Sequence, residues 1–152
     1  MAAKSKIAKR LIERMYSLDA IYAKYAESRG LTFMSLSILE ILYEKGKCTQ
    51  KEICEESHYQ KQSVNVIIRS FLNEGYVKLK EKDEDRRHKE ITFTEKGRNF
   101  AAGIVDPLWK IQFQALELIT DEQCGILLDA IEKYVGFMDK KIGEMNDVCE
   151  KD

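Results

Sequence analysis

The most constraining stretch of this 152-residue chain runs from Thr49 to Gly97, where two short helical patterns, two alternating strands and the start of a third helix follow with almost nothing between them. Val64, Ile67, Ile68, Phe71 and Leu72 recur at i, i+3, i+4, i+7 and i+8, the spacing that lays one apolar stripe along a helix. At 100° per residue the opposite side carries Gln62, Val66, Arg69 and Asn73, flanked by Ser63, Asn65 and Ser70. Upstream, Thr49 with Glu52 three residues later predicts a capping box and a helix to about Glu56 that buries Ile53. Only Ser57, His58, Tyr59 and Gln60 separate the two helices, a helix-turn-helix spacing.

Downstream, Gly75 stops the second helix, and Tyr76 to Glu81 places Val77 and Leu79 inward with Lys78 and Lys80 outward. Lys89 to Phe93 pairs back with Ile91 and Phe93 inward. The intervening Lys82 to His88 is too long and too charged for a tight turn, which predicts a protruding loop, or wing. Thr94 then caps the next helix.

This ordered set resembles the winged-helix domain of the MarR (multiple antibiotic resistance regulator) family. The residues that carry the resemblance are Glu74-Gly75-Tyr76-Val77 after the second helix, Asp85-Arg86-Arg87 on the wing, and Ile91-Thr92-Phe93-Thr94-Glu95-Lys96-Gly97 after it. The family's Asp-x-Arg pattern is met by Asp85 and Arg87, without the proline often found just before it. The resemblance covers about Leu31 to Phe100. It implies a mainly α fold, a winged helix-turn-helix with a small β-hairpin wing and long N- and C-terminal dimerisation helices. The chain is expected to be one domain over 1–152, with a DNA-binding lobe at 31–100 and dimerisation helices at 1–30 and 101–152.

The flanking patterns agree with that division. About Lys4 to Arg29, ended by Gly30, carries Ile7, Leu11, Met15, Leu18, Tyr22 and Tyr25 at near-heptad spacing. Thr32 caps a packing helix with Met34, Ile38, Leu39, Ile41 and Leu42, ending near Gly46. Glu95 to Leu118 is helix-patterned but holds Asp106-Pro107, which must kink the helix or restart it with Asp106 as cap. Thr120 with Gln123 opens a last helix striped by Cys124, Leu127, Leu128, Ile131, Tyr134, Val135, Met138, Ile142 and Met145. Two such stripes exceed what one small domain can cover, and a homodimer is expected.

Composition sets outer limits. With 44% hydrophobic residues the chain can bury one core, and it has no apolar run long enough to span a membrane and no secretory h-region, so the expected place is the cytoplasm. Net charge is only −1, yet it is unevenly spread. Met1–Arg14 nets +4, Glu117–Asp152 nets −6, and Ser57–Glu90, with eight basic and six acidic residues, nets +2. Cys48, Cys54, Cys124 and Cys149 lack CxxC pairing and read as free thiols. Cys48, Cys54 and His58 make only three metal ligands, so no metal site is expected, and no cysteine precedes Cys48 to serve as the family's N-terminal peroxide sensor. Two histidines and no phosphate loop, HExxH or Ser/His/Asp signature leave nothing for catalysis, and no cofactor is expected.

The candidate DNA contacts follow from side-chain chemistry. Gln62, Ser63 and Asn65 suit base edges in a major groove, where an amide pairs bidentately with adenine. Val66, on the face opposite the stripe, suits a thymine methyl, and Lys61 and Arg69 suit phosphates. Arg87 on the wing suits a narrow minor groove with Asp85 orienting it, and Arg86 suits phosphate. The bland reading of both is a solvated charged surface. The family resemblance further implies a dimeric, ligand-responsive repressor on pseudo-palindromic double-stranded operator DNA. Its phenolic or other aromatic effector would meet Tyr25, Met34, Trp109 and Phe113, which otherwise read as an aromatic core cluster. The alternative function is a winged-helix protein-interaction module that does not bind DNA.

Overall fold

The computed structural model of the chain describes residues 2–82 and 85–149, with side chains described over 4–80 and 89–145. It divides into two compact units, Met1–Pro107 and Leu108–Asp152.

In the first unit the helices are α1 (Ala2–Ser28), α2 (Phe33–Lys45), α3 (Gln50–Ser57), α4 (Lys61–Asn73) and α5 (Glu95–Leu116) as far as Pro107, and the strands are β1 (Lys47–Thr49), β2 (Val77–Lys82) and β3 (Asp85–Phe93). The helix starts are set by side chains that accept orphan amide hydrogens. Thr32 accepts from the Ser35 N–H, and Thr49 and Glu52 form the full reciprocal capping box. Thr94 does the same for α5, its Oγ1 accepting from the Gly97 N–H at 3.0 Å. Gly75, at φ 70°, ends α4 in the left-handed region, with its N–H on the Leu72 carbonyl and that of Tyr76 on the Phe71 carbonyl. His58, at φ 56°, holds the same conformation between α3 and α4 without being glycine.

The core is built on α2, whose Leu36, Ile38, Leu39 and Leu42 are fully buried. Ile53 of α3, Val64, Ile68 and Phe71 of α4, Val77 and Ile91 of the sheet, and Ala101, Ile104 and Val105 of α5 complete it. Each large side chain among these contributes about 1.5–3 kcal/mol by leaving water. Tyr76 stacks on Phe100 at 4.1 Å between centroids, and the Tyr25 hydroxyl donates to the Ile104 carbonyl at 2.6 Å, tying α1 to α5.

The sheet differs from expectation in three ways. Its strand order is β1-β3-β2, with Cys48 opposite Ile91, so a three-residue strand before α3 joins the hairpin. The periodicity had no room to announce so short an element. Second, β3 begins at Asp85 rather than Lys89, and Lys82 pairs with Asp85 after a register irregularity at Glu81/Lys82, so the predicted loop from Lys82 to His88 is mostly strand. Backbone hydrogen bonds carry that extension, because Asp85 to Glu90 offers no apolar residue for an alternating pattern. Third, Leu79 is not buried with Val77 but 42% exposed, at the lip of a cleft beside α4.

Pro107 does not restart a helix with Asp106 as cap, since α5 continues through it. Its missing N–H leaves the Gly103 carbonyl without its usual donor, and exposed Gly103 can turn that carbonyl to water.

The second unit holds the rest of α5 and α6 (Asp121–Cys149), which opens with Thr120 and Gln123 bonded reciprocally. Its apolar residues Leu127, Ile131, Val135, Met138 and Ile142 are all exposed in the single chain. Among the described residues no helix is long and apolar enough to cross a membrane.

Candidate nucleic-acid interface

The helix α4 is oriented by its stripe. Val64, Ile68 and Phe71 are buried and Ile67 and Leu72 half-buried, so the opposite side must face outward, and Val66 is 68% exposed. Lys61, Gln62 and Arg69 are exposed beside it, while Ser63 and Asn65 are half-buried at the edges of that face. The sequence-predicted readers therefore share one surface of one helix.

Two contacts fix where that helix begins. Gln60 makes no side-chain cap, and the Gln50 amide Nε2 instead donates to the Lys61 carbonyl at 3.1 Å, binding the first turn of α3 to the first turn of α4. Tyr59 donates its hydroxyl to Ser37 Oγ at 3.2 Å, pinning the turn to α2.

Between α3, α4 and the sheet lies a cleft of about 660 Å³, floored by Ile68, Leu72 and Ile91 and lined by the cations Lys51, Lys61, Arg69 and Lys89. Lys51 is bridged to Glu55 at 3.5 Å, whereas Lys61, Arg69 and Lys89 have no carboxylate partner among the described residues. This gives one side of the unit a local positive field that the net charge of −1 conceals. Gln50, Lys51 and Lys89 were not among the predicted site residues. Their signal in the sequence was position: the first turn of a helix preceding the reading helix, and a strand facing it.

Asp85, Arg86 and Arg87 fall within β3, and their side chains lie outside the described residues. The residues predicted for an effector are divided between the units. Tyr25 and Met34 are half-buried in the first, Trp109 is half-buried and Phe113 63% exposed in the second. Cys48 is buried, and burial together with the nearby Glu52 carboxylate pushes its thiol up to about 12, the opposite of what a metal ligand or reactive thiolate needs. No cluster of three potential metal ligands occurs among the described residues.

A helix presented outward by a buried stripe, a preceding helix at a short turn, a hairpin beside them and a cleft lined by cations form a winged helix-turn-helix. The MarR family model matches residues 29–88, the stretch from just ahead of α2 into β3. The chain is 28% identical over 96 residues to the uncharacterized HTH-type transcriptional regulator YwhA of Bacillus subtilis (strain 168), covering 63% of this chain and 69% of that protein. Its fold is similar to that of NMB1585, a MarR family regulator from Neisseria meningitidis, with a TM-score of 0.78, 23% identity, and coverage of 90% of this chain and 96% of the other. It is also similar to that of NadR, solved in complex with 4-hydroxyphenylacetate, with a TM-score of 0.71, 17% identity, and coverage of 84% and 91%.

Proposed function

We propose that this chain is a homodimeric, effector-responsive repressor in which the lobe at 31–100 reads operator DNA and the helices at 1–30 and 101–152 hold two copies together. The outward face of α4 carries the reading: Val66, 68% exposed, presents its methyls between amide and cationic side chains on the side opposite the buried stripe. In this reading Gln62, Ser63 and Asn65 meet base edges, Val66 a thymine methyl, Lys61 and Arg69 phosphates, Arg87 the minor groove with Asp85 orienting it, and Arg86 phosphate. Exposed Ile7, Met15 and Leu18 on α1, with the exposed stripe of α6, supply the apolar surface of the dimer. Two copies place their reading helices about 34 Å apart on half-sites of a pseudo-palindrome.

An effector acts only through different affinities for two arrangements of the dimer. NadR bound to 4-hydroxyphenylacetate supports an aromatic acid or phenol as its class. That molecule is the first to try in a thermal-shift assay, with Tyr25, Met34, Trp109 and Phe113 substituted singly.

The deciding experiment is a gel shift with DNA from upstream of the chain's own reading frame, searched for an inverted repeat. Arg87→Ala is expected to weaken binding to most sequences and to flatten its salt dependence, since each lost cation releases fewer counterions. An unchanged affinity and salt slope removes the wing from the interface. A protein that is monomeric at micromolar concentration yet binds its operator tightly overturns the dimer, and one that binds no DNA leaves the protein-interaction module.

A further inference from the structure

The helix α4 starts differently from its neighbours. Thr32, Thr49, Thr94 and Thr120 each cap the helix that follows, whereas Gln60 gives α4 no side-chain bond. Burial does not hold that start either, because the first buried side chain of α4 is Val64. Lys61, Gln62 and Ser63 lie ahead of it, whereas Val66 and Arg69 lie between Val64, Ile68 and Phe71, which seat the helix on the core. What reaches the first turn is the amide of Gln50, whose Nε2 donates to the Lys61 carbonyl at 3.1 Å across the turn between the helices. Gln50 stands on a fixed base. Thr49, just before it, pairs with Glu90 in the sheet and caps α3 reciprocally with Glu52, and Ile53 further along α3 is fully buried.

A helix end frays where neither a cap nor burial holds it, and a bond from a fixed donor removes that freedom. We propose that Gln50 is a positioning residue for sequence reading: it holds the first turn of α4 so that Gln62 and Ser63 meet their base pairs, while the buried stripe alone places Val66. This rests on the DNA-reading function above and divides that reading into two parts with different supports. Hydrogen bonds to base edges weaken steeply with misalignment, whereas attraction to phosphates does not depend on the sequence. A loosened first turn therefore costs discrimination and leaves general affinity for DNA in place.

The test uses the full chain and an operator with each base pair changed in turn. Gln62→Ala marks the base pairs read from the first turn, and Val66→Ser marks those read from the middle of the helix. Gln50→Met keeps the length of the side chain and removes its donor, and Gln50→Lys returns a donor. Both are surface substitutions with little expected effect on melting temperature. Gln50→Met is expected to lose at least about fivefold in discrimination at the base pairs marked by Gln62→Ala and to keep it at those marked by Val66→Ser. Its affinity for unrelated DNA and its salt dependence should match wild type, and Gln50→Lys should recover the lost discrimination. A wild type that binds no operator, or a Gln62→Ala protein that relaxes no base pair, removes the DNA reading on which the proposal stands. With that reading intact, three results overturn the positioning role: discrimination retained in Gln50→Met, discrimination lost equally at both sets of base pairs, or uniform weakening on all DNA with a flatter salt dependence, which would make Gln50 a phosphate contact.

Discussion

A Cβ on Gly97 would overlap the backbone carbonyl oxygen of Tyr76. That carbonyl is fixed, because it accepts from the Thr94 N–H at 2.9 Å and from Thr94 Oγ1 at 3.2 Å. The first turn of α5 and the start of β2 are therefore in contact at backbone level, and Gly97→Ala is expected to destabilise the protein by about 1–3 kcal/mol or more, as overpacking does. Chemical denaturation checks this, and an unchanged midpoint would mean that β2 and α5 can separate at no cost.

Val66→Ser should leave thermal stability within about ±0.5 kcal/mol, the range for an exposed side chain. Operator binding should fall, and the loss should largely vanish on an operator carrying uracil in place of the contacted thymine. A large drop in melting temperature would contradict the exposure of Val66.

His58 supports a left-handed backbone that an L residue adopts only at a cost. His58→Gly is expected to stabilise the fold by about 0.5–1 kcal/mol, and His58→Val to destabilise it by more, since a β-branched side chain fits that conformation worst. Paired melting curves decide it.

Cys48 is pushed up from 9.0 to about 12 by burial. The folded state thus holds this proton more tightly than the unfolded chain. The stability it lends is fully present below pH 9.0 and is lost as pH climbs from there toward about 12. Cys48→Ala should flatten that alkaline decline in melting temperature. In the native protein, iodoacetamide should label Cys48 more slowly than half-buried Cys54 and Cys124.

The helices and the face of α4 were legible in the sequence because each has two independent signals, a period and a cap. Thr32, Thr49, Thr94 and Thr120 all cap as read, and Gly46 and Gly75 terminate as read. The sheet was less legible. Lys47-Cys48-Thr49 is too short for a period, and Asp85 to Glu90 enters the ladder through its backbone with no apolar residue to mark it. Leu79 has the right parity for the core but sits at the lip of the open cleft beside α4, where it stays exposed. The contribution of Gln50, Lys51 and Lys89 to the cleft depends on tertiary proximity alone, which no local pattern encodes.

The strand order β1-β3-β2 also bears on how the lobe assembles in time. Joining β2 to β3 closes only the short gap between Lys82 and Asp85, whereas joining Cys48 to Ile91 closes a loop of 43 residues, 91 minus 48. Loop-closure entropy favours the hairpin first, and non-local pairing waits for α3 and α4 to shorten the path. The β1 pairing is then the closing event of the lobe, and substitutions at Cys48 should accelerate unfolding while leaving the refolding rate nearly untouched.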